Sequence, residues 1–239
     1  MTPLPPIRQR LACSVLEAAQ ATRAMGRVML SAAANGATHE RIGTVSEVLL
    51  EDGHVRLAGG AHDARIDLAV VTGLVADRSG RMKDRVMPRI EFQNAAGETL
   101  FAMIALDGLE PFEGAVAGLA TGLALPEKER QAPSGEASTE VSDTDPGALP
   151  LQAAKAHAGT IGIALAAPGL VQRWQGTVAD LRPAMGFINI IQPDFHLHLK
   201  AGAVARWARV ETDGAARLEA FDTGGLPLGL TLTGPAAVL

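Results

Sequence analysis

The stretch Gly186-Phe187-Ile188-Asn189-Ile190-Ile191-Gln192-Pro193-Asp194-Phe195-His196-Leu197-His198-Leu199-Lys200 reads as strand, turn, strand. Ile188, Ile190 and Ile191 give the first arm the β-branched character of a strand. Pro193-Asp194 supplies the turn, since Pro fixes φ and the Asp carboxylate can accept from its own downstream backbone. Beyond the turn, side chains alternate across the strand. Phe195, Leu197 and Leu199 fall on one face, and His196, His198 and Lys200 on the other. The outer face is therefore a basic stripe suited to an anionic ligand, or an ordinary half-solvated strand.

Around this hairpin the chain repeats itself. Gly26, Gly36 and Gly43 recur as Gly159, Gly169 and Gly176 at a constant offset of 133 (159 − 26, 169 − 36, 176 − 43), with Gly43-Thr44-Val45 matching Gly176-Thr177-Val178. Leu68, Val70, Gly73 and Val75 match Leu197, Leu199, Gly202 and Val204 at 129, and Arg89-Ile90-Glu91 matches Arg217-Leu218-Glu219 at 128. Offsets that drift by a few residues indicate one ancestral unit with small loop changes. Between the copies, Pro126 to Gly147 is rich in Pro, Ser, Thr, Glu and Asp with almost no large apolar residue, the composition of a flexible linker. The expected organisation is a first lobe over 1–125, a linker over 126–149 and a second lobe over 150–239.

Each copy opens with helical periodicity, over Pro3 to Met25 in the first, and continues in short strands joined by Gly or Asp turns such as Asn35-Gly36 and Asn94 to Gly97. The fold class is α+β: two tandem structural repeats, each an antiparallel β-sheet meander with N-terminal helices. At 239 residues and 47% hydrophobic content, the chain can bury a sizeable core. A formal net charge of −5 argues against general nucleic-acid binding. No apolar run reaches the length of a membrane span, and the start does not read as a secretory signal, so a cytoplasmic protein is expected. Cys13 is the only cysteine, which excludes an intrachain disulfide and a cysteine-based zinc site.

Phe187-Ile188-Asn189 followed by Pro193-Asp194-Phe195 and Leu197-His198-Leu199 resembles the "WFN-x-LDPDFNLHL" signature of bacterial haem-utilisation proteins of the HemS/ChuS type, the hemin-degrading factors. His39 to Gly43 ("HERIG") and Leu218-Glu219 through Gly225 are similar to further family segments. The resemblance implies tandem repeats, haem as cofactor, and a role in haem binding, trafficking or degradation during iron acquisition. It also implies an iron-binding histidine in a segment like "IQIHTGPV". Here that segment is Val171 to Val178, with Trp174 at the histidine position, and an indole nitrogen has no lone pair to give iron. The family's arginine in a "DLRLF"-like strand aligns with Ala69.

The residues left to contact haem are His196 and His198, paired on one strand face, together with His39, Trp174 as a stacking surface and its neighbour Arg173. Arg78, Arg81, Lys83, Arg85 and Arg89 form a basic run of the right sign for propionates or phosphate. No HExxH spacing, nucleophile elbow or phosphate-binding glycine pattern occurs, so no catalytic residues are assigned. The partners implied are haem or a similar small molecule, with no nucleic acid and no membrane insertion, and with a homodimer left open. A divergent module that kept the fold and binds something else is the alternative, and a haem-degrading enzyme a second one.

Overall fold

A computed structural model describes residues 5–128 and 140–239. It is mostly antiparallel sheet with three short α-helices among the described residues, an α+β fold. Two compact units interleave along the chain. The first comprises Met1–Ser31, Ile42–Ser134 and Pro168–Leu170, and the second Ala32–Arg41, Gly135–Ala167 and Val171–Leu239.

In the first unit, strands Thr121–Leu125, Arg8–Leu11, Gly73–Asp77, Arg89–Gln93, Thr99–Ala105 and Arg27–Ala34, the last running on past the unit's end at Ser31, lie side by side in that order. The second of these, Arg8–Leu11, corrects the helix expected over Pro3 to Met25, of which residues 3 and 4 lie outside the described residues. Only Val15–Ala21 is α-helix, extended by a 3-10 turn at Thr22–Ala24. Arg8–Leu11 is instead a strand, because it gains a hydrogen-bonded neighbour on each side, from Thr121–Leu125 and Gly73–Asp77. Such pairing outweighs a local helical preference of a few tenths of a kcal/mol per residue. The helix begins where Ser14 and Glu17 form a capping box: the Ser14 Oγ accepts from the Glu17 N–H, and the Glu17 carboxylate accepts from the Ser14 N–H.

Buried charges in this unit are matched internally. Asp77 and Glu91 are almost wholly inaccessible and are met by Arg8, Arg89 and Lys128. Burial pushes the Asp77 carboxyl up, but hydrogen bonds from Ser79 and Arg89 outweigh it and hold the group at about 2.

The second unit holds two sets of strands. In one, Ala37–Arg41 of the strand Ala37–Thr44 pairs with Phe195–Lys200, which pairs with Phe187–Gln192 and onward to Arg182–Ala184. In the other, the order is Arg206–Thr212, Ala215–Phe221, Pro227–Pro235, Thr160–Ala167, Leu170–Thr177. Their shared core includes Trp174, Phe195, Leu197, Leu199, Ile163 and Leu232, with helix Leu149–His157 packed in through Leu151 and Ala154.

The duplication is visible strand by strand. Arg27–Ala34 and Thr160–Ala167 bury the same alternate positions: Val28, Leu30 and Ala32 in one, Ile161, Ile163 and Leu165 in the other. Gly97 and Gly225, at equivalent hairpin turns, both sit at φ +79°. The order 73–77, 89–93, 99–105, 27–34 in the first unit is matched by 206–212, 215–221, 227–235, 160–167 in the second.

The polar stretch Pro126 to Gly147 lies partly outside the described residues, at 129–139. Its last part is held within the second unit. Asp145 is buried, accepting from the Gly147 and Gly202 N–H groups at 2.8 Å each, and Trp207 Nε1–H donates to the Pro146 carbonyl. A short polar segment of this kind is held by hydrogen bonds to a carboxylate where it has little apolar surface to bury.

Candidate functional site

The hairpin read from the sequence is present: Phe187–Gln192 and Phe195–Lys200 pair antiparallel in the register Ile191 to His196 and Asn189 to His198. Phe195, Leu197 and Leu199 are fully buried, which fixes the backbone from the inside. His196 and His198 therefore project from the opposite face. On their other side runs Ala37–Arg41, where Glu40 lies across from His196 and Thr38 from His198. The histidines were expected from alternation alone. Glu40 was missed because the strand pairing that brings it in spans more than 150 residues of sequence. The signal available was local: in a strand that buries His39, Glu40 must face the other way.

The three side chains converge. His196 Nδ1 lies 3.1 Å from Glu40 Oε2, and His198 Nε2 lies 3.8 Å from the same oxygen. The imidazole rings stand edge to face with centroids 6.0 Å apart. His198 is held from behind: its Nδ1 is 2.6 Å from Asn189 Oδ1. Asn189 Nδ2 donates toward the Phe187, Ala184 and Arg182 carbonyls at 3.0, 3.2 and 3.3 Å. Three carbonyl neighbours fix which end of the amide is the donor, so Oδ1 must be the atom that faces His198.

The other expected residues lie elsewhere. His39 is completely buried, with its ring 4.8 Å from Phe195. Its Nε2 is 3.2 Å from the Ile163 carbonyl, and its Nδ1 is 2.9 Å from Gln172 Nε2. One ring nitrogen thus donates and the other accepts, the pattern of a neutral imidazole. Burial pushes the group down to about 3. Trp174 is 4% exposed and stacks on Phe195 at 4.5 Å with an interplanar angle of 11°. The indole also covers Gly176, where a Cβ would strike its ring. Arg173 points outward from the strand Leu170–Thr177 and is exposed. So His196 and His198 are brought together, while His39 and Trp174 lie behind them in the core.

The basic run of the first unit is largely engaged by its own fold. Arg78 forms a forked pair with Glu113, Arg89 binds Asp77, and Arg81 and Arg85 donate to the carbonyls of Arg78 and Leu106. A cavity of about 430 Å³ in the second unit is lined by Val141, Leu181, Pro183 and Ile188, with Asp143 and Lys155 at its polar edge. None of the described residues lining it is a histidine, cysteine or methionine. No helix among the described residues is long and apolar enough to cross a membrane.

No family model matches the sequence. No curated protein matches it either. Solved structures do. ChuS, a haem oxygenase of E. coli, superposes with a TM-score of 0.76 at 19% identity, covering 95% of this chain and 83% of its own. Holo-PhuS, a haem-binding protein from Pseudomonas aeruginosa, does so with a TM-score of 0.74 at 19% identity, covering 95% and 81%. Apo-PhuS gives 0.73 at 18% identity. Over 95% of its length the chain has the fold of ChuS, a haem oxygenase, and of PhuS, a haem-binding protein.

Proposed function

We propose that the protein is a divergent member of the haem-utilisation family, a cytoplasmic haem-handling protein of iron acquisition that binds and passes on the tetrapyrrole rather than degrading it. The observation that carries this reading is the fold, shared over 95% of the chain with a haem oxygenase and a haem-binding protein. Fold alone does not fix function. The signature residues of the 186–200 hairpin add to the reading because they belong to the same family pattern.

The residues at the family's iron position do not fit a protein–iron bond. Trp174 offers no lone pair and is closed into the core against Phe195. His39 has both ring nitrogens engaged inside that core. Haem degradation needs iron held in an open coordination sphere, so binding is preferred to catalysis and no catalytic step is drawn. The expected mode is retention of haem through its apolar rim and propionates.

Titration of the purified protein with hemin tests this. A saturable Soret shift at one equivalent supports it. Unsaturable, featureless binding overturns it. Hemin with ascorbate should leave the Soret band in place, whereas bleaching with new product bands would favour the enzymatic reading.

The cavity beside Val141, Ile188 and Lys155 favours a second reading, a binding module for a small apolar acid. Thermal stabilisation by medium-chain carboxylates, with unaltered hemin spectra, would select it.

A further inference from the structure

We infer that Glu40, His196 and His198 form a binding site for a single divalent transition-metal ion of the zinc class, distinct from any haem. Their ligand atoms all lie within 4.8 Å of one another. Zinc bound to imidazole nitrogen and carboxylate oxygen sits at about 2.0–2.1 Å from each, which places tetrahedral neighbours roughly 3.3 Å apart. The 3.1 Å separation of His196 Nδ1 from Glu40 Oε2 meets that already, and the remaining separations, none above 4.8 Å, close by side-chain rotation.

The orientation of His198 is an independent observation pointing the same way. Asn189, locked by three backbone carbonyls, presents an acceptor to His198 Nδ1, so the neutral ring carries its proton there. Its Nε2 then aims a lone pair at the Glu40 carboxylate. Two acceptors facing one another are stabilised by a cation between them. An imidazole whose far nitrogen is fixed by an amide or carboxylate oxygen is the arrangement that prepares a histidine for a metal. His196 contributes Nδ1: the proton it shares with Glu40 moves to Nε2 by exchange with solvent, and the freed lone pair binds the ion.

The platform is rigid and accessible. Phe195–Lys200 is pinned from beneath by the buried Phe195, Leu197 and Leu199, and Ala37–Thr44 by the buried Ala37 and His39. The Glu40, His196 and His198 side chains are 14, 24 and 32% exposed, which leaves room for water or an exogenous ligand at the fourth position. Two imidazoles and one carboxylate suit Zn²⁺, Co²⁺, Ni²⁺ or Cu²⁺ over Mg²⁺ or Ca²⁺, which prefer oxygen throughout. A haem iron has four positions taken by the porphyrin and accepts protein ligands only axially, so three donors converging on one point fit a bare ion. The exposed Lys200 lies on the same strand face, two residues beyond His198. Binding would staple residue 40 to the hairpin 150 residues downstream, stabilising the second unit by mass action.

The test uses the whole haem-free protein after chelator treatment, so it succeeds or fails apart from the hemin titration. Calorimetry with ZnCl₂ should give one saturable equivalent and a rise in melting temperature, and Co²⁺ should give visible d–d bands of a four-coordinate site. His196→Ala, His198→Ala and Glu40→Gln should each weaken binding at least tenfold. Asn189→Ala should weaken it about tenfold through His198 alone. Circular dichroism identifies any variant that fails to fold, and the wild-type Co²⁺ spectrum stands without variants. Absence of saturable binding to the wild type, or equal binding by folded His196→Ala and His198→Ala, overturns the inference.

Discussion

Trp174 lies flat on Phe195, ring centres 4.5 Å apart, and Phe195 is the residue immediately before His196. The two faces of one strand thus divide the labour. The inner face packs the Trp174 indole into the core, and the outer face collects imidazoles.

The stack depends on a glycine. Gly176 leaves the space that the Trp174 indole occupies. Gly176→Ala should destabilise the protein by about 2 kcal/mol through overpacking. The same substitution beside Trp174→Phe should cost less, with a coupling of about 1 kcal/mol in a urea double-mutant cycle. Gly225→Ala is a control: its Cβ meets no atom within 4 Å, so its cost, about 1 kcal/mol, comes from φ alone.

His39 makes stability depend on pH. Its folded-state value, about 3, lies below the ordinary 6.5. The unfolded chain therefore binds a proton that the folded chain does not, and stability falls as pH drops from 6.5 towards 3, by about 1.4 kcal/mol per pH unit. Above 6.5 the contribution is fully present. His39→Gln can both donate to Ile163 and accept from Gln172. Its melting temperature should fall less than that of the wild type between pH 7 and pH 5, and parallel curves would refute the assignment.

Asp145 anchors the polar segment that precedes helix Leu149–His157. Asp145→Ala leaves the Gly147 and Gly202 N–H groups without their acceptor and should cost about 2 kcal/mol. Hydrogen exchange at both amides should accelerate, and proteolysis within 140–148 should increase. Unchanged exchange would mean that the carboxylate does not hold the segment.

Local chemistry explains what could be read in advance. The hairpin at 186–200, the Asn35-Gly36 turn and the doubled strands are written in alternation and glycine spacing, both short-range signals. The strand Arg8–Leu11 was not legible, since only its neighbours from 73–77 and 121–125 make it a strand. Glu40 joined the histidines for the same reason, through pairing across most of the chain. The polarity around Asp145 reads as solvated until its backbone partners are in place. His39 and Trp174 look like ligand candidates in sequence, yet burial turns one into a neutral core imidazole and the other into a packing surface.

Hemin titration of the wild type beside Trp174→Phe weighs the haem reading as a whole. Both proteins should saturate at one equivalent with superimposable Soret bands, because the ring at 174 packs the core. A wild-type protein that never saturates, or a spectrum that changes with the indole, would contradict it.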